Sequence, residues 1–220
     1  MTQTVIKIQD SFDQSLVNSS LPDVAVDLAE LSIDSLFDNE IVKNIPIVKT
    51  FVGVFQVGAN IQDKLFLKKI VTFIQKLGVV SDNTRLEMIE RVNSSKKYRI
   101  KVGEKLLYLL DSCSDYEVSE LLAKLFSAYL KGVIGYDEFI KAAHVISKNQ
   151  AATILDFIRT DNEVIDMYEH DVDIETGLYA IHSENISVNV RQNDDWENST
   201  EYLADVEDGG LWANPSQAGE

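Results

Sequence analysis

Apolar residues recur at three- and four-residue spacing through most of the first 160 positions, and that rhythm predicts helices. Ser20-Leu21-Pro22-Asp23 reads as a helix start. Proline is tolerated in a first turn, and Asp23 suits the positive end of the helix dipole. Val26, Ala29, Ile33, Leu36 and Phe37 then mark one apolar face. Before this helix, Val5-Ile6-Lys7-Ile8 fits either a short strand or a helix start. From Pro46 to Asn60 the chain is apolar on nearly all sides, which predicts a buried helix, with its β-branched content leaving a strand as the alternative.

Asp63–Leu77 predicts a broad-faced helix with Leu67, Ile70, Val71, Ile74 and Leu77 on one side, widened by Phe66 and Phe73. Gly78 is placed to end it as a left-handed cap. A helix beginning at Ser81-Asp82-Asn83 carries Leu86, Ile89 and Val92. The next is expected from about Tyr98 to Ser112, and its run Leu106–Leu110 predicts a central position in a bundle. Ser114-Asp115-Tyr116-Glu117 matches a capping box, opening a helix through Leu121, Leu122, Leu125, Phe126 and Tyr129 to Gly132. A last helix is expected from Asp137 to about Arg159, bent near residues 148–150.

After Thr160 the rhythm changes. Residues 178–181 and 186–190 predict two strands joined across Ser183-Glu184-Asn185 as a hairpin. Tyr202-Leu203-Ala204 fits a third short strand or a helical turn. Beyond Val206 the chain is acidic and poor in apolar residues, which argues for a flexible tail. The fold class expected is mainly α: a bundle of about six to eight helices with a small C-terminal β-hairpin and an acidic tail. The domain division expected is 1–160 helical, 161–205 small and acidic, and 206–220 tail.

Charge sharpens that division. Residues 161–220 hold sixteen Asp and Glu against a single base, Arg191, whereas residues 1–160 are close to neutral. The helical part has its own asymmetry, with eleven Lys and Arg between Lys64 and Lys105 against Asp82, Glu87, Glu90 and Glu104. The densest part is Lys96-Lys97-Tyr98-Arg99-Ile100-Lys101. The candidate interaction residues are therefore Lys96, Lys97, Arg99 and Lys101 on the basic side. Asp194, Asp195, Glu197, Glu207 and Asp208 are their acidic counterparts.

The single cysteine, Cys113, rules out an internal disulfide and agrees with a reducing, cytoplasmic setting. The N-terminal residues lack a basic leader followed by a long apolar run, so no cleaved secretory signal is expected. The most apolar stretch, Ile45–Ile61, is interrupted by Lys49, Gln56 and Asn60.

No common catalytic motif is found, and neither catalytic residues nor a cofactor are expected. Gly53 to Gly58 has phosphate-loop glycine spacing, but alanine follows where the lysine must stand. Gly132–Phe139 matches the second half of an EF-hand loop. The first half places Lys131 at a ligand position, and an ammonium cannot coordinate calcium, so the segment reads as a tight corner between helices. Cys113 reads as a small buried hydrophobe and His144 as a boundary residue. His170, Asp171 and Asp173, with His182 nearby, are the weak metal candidates, against the plainer reading of a solvated acidic loop.

These features point to a non-enzymatic protein-interaction or regulatory module. Its acidic C-terminal region would engage a basic partner protein or mask the basic 64–105 surface. Two alternatives stand beside it. One is a membrane-acting effector that inserts or binds peripherally through residues 45–61 and the 63–77 helix. The other is an acidic nucleic-acid mimic that inhibits a DNA- or RNA-binding protein. Direct nucleic-acid binding is disfavoured by the net charge of −16. The oligomeric state is not legible.

Overall fold

The computed structural model describes residues 2–17, 32, 35, 38–54, 60–160, 165–166, 176–183, 188–191, 203–206 and 211–215. The expected helix over 22–37 lies largely outside them. The chain divides into two compact units, Met1–Ile158 and Arg159–Glu220.

The first unit is a helical bundle. Its described helices are α1 (Thr2–Val17), α2 (Glu40–Lys43), α3 (Pro46–Val54), α4 (Ile61–Lys76), α5 (Asp82–Asn93), α6 (Val102–Ser112), α7 (Tyr116–Leu130), α8 (Tyr136–Lys148) and α9 (Ala151–Arg159). The pairs α4–α7, α1–α3 and α7–α8 make the largest packing contacts. At the centre, Phe126 of α7 lies between Phe73 of α4 and Phe139 of α8, with ring centroids 6.0 and 5.1 Å away. All three rings are fully buried. Each such ring contributes a few kcal/mol through apolar burial and offset ring contact, on the order of 3 kcal/mol or more.

Local chemistry sets the helix starts. Asn60 accepts from the Asp63 amide at 2.9 Å, and Asp63 accepts from the Asn60 amide at 3.1 Å, a complete capping box for α4. Ser81 caps α5 by accepting from the Thr84 amide at 3.3 Å. The first residue of α6 is capped from outside its own helix: Asn93 accepts from the Val102 amide at 2.9 Å. A similar long-range cap opens α3. The buried Ser15 hydroxyl of α1 accepts from the Ile47 amide at 3.0 Å while donating to the Ser11 carbonyl at 2.8 Å. That bond satisfies an N–H that Pro46 and the turn before it cannot.

Several expectations need correction. Segment 2–17 is a helix, which settles the choice left open at Val5–Ile8. Helix α3 is apolar on most sides yet buried on one face only: Ile47, Val48 and Phe51 are in the core, whereas Lys49, Val52 and Val54 are exposed. Gly78 is not a left-handed cap, because α4 runs into a 3-10 turn over Leu77–Val79. Among the described glycines, positive φ occurs at Gly132 and Gly177. Helix α6 begins at Val102 rather than near Tyr98, and residues 94–101 form an irregular loop. Nor is α6 central on all sides. Leu106, Leu109 and Leu110 are buried, but Tyr108 is 59% exposed. The cap of α7 is Asp115, not Ser114: Asp115 accepts from the Val118 amide at 3.0 Å, and Ser114 donates to the Asp115 carboxylate. The expected bent helix over 137–159 is two helices, broken at Asn149 and Gln150.

In the second unit, β1 (Ile165–Asp166), β5 (Leu211–Pro215) and β2 (Tyr179–Ser183) pair antiparallel in that order. The strand β3 (Val188–Arg191) pairs antiparallel with β4 (Leu203–Val206). Glu184 and Asn185 of the expected hairpin turn lie outside the described residues. Of Tyr202-Leu203-Ala204, open between strand and turn, Leu203 and Ala204 begin β4, and Tyr202 lies outside the described residues. Leu211–Pro215, within the expected flexible tail, is strand β5.

Candidate functional site

The basic stretch 64–105 does not form one surface. Its first half is engaged by neighbouring elements of the bundle. Lys68 lies over the Tyr116 ring, 4.2 Å from its centroid. Lys69 donates to the Cys113 carbonyl, at the junction of α6 and α7. Lys76 pairs with Glu120 of α7 at 3.1 Å. Arg85 is 1% exposed and pairs with Asp82 one turn earlier. On α5 Arg85 is turned into the core, whereas Leu86 next to it is 40% exposed.

The second half faces outward. Lys96, Lys97, Arg99 and Lys101 stand on the exposed loop 94–101. The start of α8 pins that loop. Asp137 accepts from the Tyr98 hydroxyl at 2.8 Å and pairs with Lys97. The Lys97 ammonium, then the Tyr98 hydroxyl, hold the Asp137 carboxyl below the usual carboxylate range, and the same pairing raises Lys97. Tyr98 packs edge-on against Tyr136 at 4.8 Å, and Tyr136 against Tyr129 at 5.3 Å. Tyr129 donates to the Met88 carbonyl at 2.9 Å, which joins α7 to α5. Burial pushes the Tyr136 phenol up to about 12, so it stays neutral and acts as a wall rather than an acid.

Between the loop and α8 runs a groove of about 570 Å³. Its apolar floor is Tyr98, Ile100, Tyr136 and Ile140; Lys97, Arg99, Lys105 and Lys141 line it, with Asp137 as its one carboxylate among the described residues. Ile100 is 42% exposed there. Beside the groove, the Lys105 ammonium donates to His144 Nε2 at 2.8 Å, so that nitrogen is unprotonated. Partial burial, then Lys105 and Lys148, hold His144 below its ordinary value. Apolar walls with several bases and one already-engaged acid suit an anionic ligand that also has an apolar part.

The remaining candidates divide by location. Gly132 adopts φ +73°, and Val133 donates to the Ala128 carbonyl at 2.9 Å, closing the turn after α7. Glu138, the supposed calcium ligand, accepts instead from the Gly135 amide at 2.6 Å as a helix cap. Cys113 is buried, its thiol donating to the Leu109 carbonyl at 3.2 Å, and burial raises it to about 11. Such a thiol carries almost no thiolate at neutral pH and is a poor nucleophile. His170, Asp171 and Asp173 lie outside the described residues, as do Asp194, Asp195, Glu197, Glu207 and Asp208. His182 sits on β2, opposite Trp212 of β5. Among the described residues, no three His, Cys, Asp or Glu side chains gather as a metal site. Of the apolar 45–61 stretch, Ile45, Ile47, Val48 and Phe51 belong to the bundle core. No described helix is long and apolar enough to cross a membrane.

Sequence reasoning counted Lys97, Arg99 and Lys105 in its basic stretch but neither Lys141 nor the walls that α8 supplies. Tyr136 and Ile140 come from a helix 40 positions downstream, and no local signal links them to Tyr98. Comparison of the chain with protein-family models, with curated proteins and with solved structures found no match.

Proposed function

We propose that this protein is a non-enzymatic protein-interaction module, and that its working surface is the basic, tyrosine-walled groove between loop 94–101 and α8. The observation that carries this reading is the groove's composition: four bases over an apolar floor, with the single acid Asp137 already held by Lys97 and Tyr98. The ligand class is an acidic segment of a partner protein. The acidic C-terminal region, read as a small hairpin-bearing part with an anionic tail, acts as regulator. It supplies a competing anion for the same bases, or engages a basic partner of its own.

The test uses the full chain. A fluorescent polyglutamate peptide is titrated against wild type, against Arg99→Glu with Lys141→Glu, and against a variant with Asp194, Asp195, Glu197, Glu207 and Asp208 neutralised to amides. Charge reversal in the groove lowers affinity about tenfold or more, and neutralising the C-terminal acids raises it. Equal affinity for all three proteins at low salt overturns the reading.

One observation favours a second reading. Val52, Val54, Ile61 and Leu65 are exposed large apolar side chains on α3 and α4, and Lys49 is exposed beside them. Peripheral binding to an anionic membrane would use that set. Flotation with anionic vesicles that is lost in Ile61→Glu with Leu65→Glu supports it; no flotation of wild type dismisses it.

A further inference from the structure

The groove has a neighbour across the Lys97–Tyr98 ridge. A second depression, of about 470 Å³, is lined there by Met88, Val92, Tyr129, Val133 and Ile134, with Arg91 at its side. The two depressions share Lys97, Tyr98 and Tyr136 as a common wall. Among the described residues, no carboxylate lines the second one. Val133, at its rim, is 73% exposed, the counterpart of Ile100 in the first.

We infer that the two depressions form one binding track for an acidic segment carrying two apolar side chains, one seated on each side of the Lys97–Tyr98 ridge. The inference rests on the reading of the first groove as a protein-binding site and names what that site takes. Charge complementarity selects the occupant. Arg91, Lys97, Arg99, Lys105 and Lys141 flank the track. The one acid on it, Asp137, is already matched. A purely apolar ligand would bring no counter-charge to Arg91, Arg99, Lys105 and Lys141, since Asp137 serves Lys97, and a purely ionic one would leave Ile100 and Val133 in water. A segment that alternates carboxylates with two large apolar side chains answers both. The ridge itself is well held: the Tyr98 hydroxyl bonds Asp137, and its ring packs on Tyr136. The two seats therefore keep a fixed separation, and anchors at one spacing gain from both at little ordering cost. A nucleic acid meets the same bases but brings no aliphatic anchors, and it meets a chain of net charge −16.

The test measures binding of labelled acidic peptides to the full chain by anisotropy. One series carries two leucines at varied spacing; controls replace either leucine by serine. In wild type the best two-leucine peptide binds about tenfold tighter than either control. Ile100→Glu and Val133→Glu each erase that advantage, because each leaves a single working seat. Both positions are exposed, and circular dichroism melts verify the fold; a variant that melts early is replaced by Ile100→Ala or Val133→Ala. A two-leucine peptide with no advantage in wild type, or an advantage that survives Val133→Glu, overturns the track. If Val133→Glu is silent while Ile100→Glu and Arg99→Glu weaken binding, the track fails and the single groove stands. If Arg99→Glu is silent as well, both fail. A single-stranded RNA oligomer that binds more tightly and displaces the peptide overturns the choice of occupant.

Discussion

The two halves of the basic stretch have nearly the same residue types and opposite employment. In residues 64–85, cations hold the bundle together: Lys68 on Tyr116, Lys69 on the α6–α7 junction, Lys76 on Glu120, and Arg85 buried beside Asp82. In residues 96–105, cations stand on a loop and at a groove edge, facing water. The contrast teaches that a charge count in sequence does not measure a charged surface. A helix flank packed on a neighbour draws lysine stems and guanidinium groups against it, whereas the loop, held to α8 through Lys97 and Tyr98, leaves Lys96, Arg99 and Lys101 exposed.

The comparison breaks most readily at Arg85. Arg85→Ala costs about 3 kcal/mol in urea unfolding, because it removes the largest fully buried side chain and leaves a cavity. Arg85→Met, which keeps most of the volume and removes the charge, costs about 1 kcal/mol or less. Neither changes binding of the acidic peptide. If Arg85→Ala leaves the urea midpoint in place, the first half is not structural. The converse experiment pairs Lys96→Ala with Arg99→Ala. Peptide affinity falls about tenfold, some 1.4 kcal/mol, while the urea midpoint stays put.

A smaller effect sharpens the structural side. The side chain of Asp13 on α1 lies so close to Gly103 of α6 that a Cβ there would clash with its carboxylate. Gly103→Ala therefore destabilises by about 1–2 kcal/mol through crowding. In an Asp13→Ala background the same change stabilises by about 0.5–1 kcal/mol, as helix propensity alone would have it. Thermal melts of the four proteins decide between these signs. Burial holds Asp13 above its ordinary value, against the pull of Lys101, so the Asp13→Ala change by itself is well tolerated. The Lys76–Glu120 pair is partly exposed and gives a double-mutant coupling of about 0.2–1 kcal/mol that fades in high salt.

The smallest effect belongs to the outward half. His144 titrates below 6.5 in the folded chain. A depressed value means that the unfolded chain takes the proton first as pH falls. The stability linked to His144 is therefore complete above pH 6.5 and is lost as pH drops through the folded value. His144→Gln removes this slope, which urea midpoints measured from pH 7.5 to pH 5 will register.

Much of the bundle was legible because periodicity is local. The apolar stripe of α4, the Ser81 cap and the aromatic positions of α7 follow from spacing alone. What escaped was set by distant residues. Ser15 caps α3 from 32 positions away. Asn93 fixes the start of α6, and by doing so frees 94–101 to become a loop instead of a first helical turn. Asp115 outcompetes Ser114 because its carboxylate reaches the Val118 amide and takes the Ser114 hydroxyl as well. The site suffered most from this limit. Lys97, Arg99 and Lys105 could be counted, but Lys141 and part of the floor come from α8, where it returns to the loop.

Cys113 is the chain's single thiol, sealed at the end of α6 with its proton held by both burial and the Leu109 carbonyl. It therefore serves as an intrinsic clock. A maleimide or disulfide reagent in native buffer can modify it only as fast as the α6–α7 junction opens. The labelling rate, followed without any engineered probe, reports how often that junction breathes and whether a bound partner slows it.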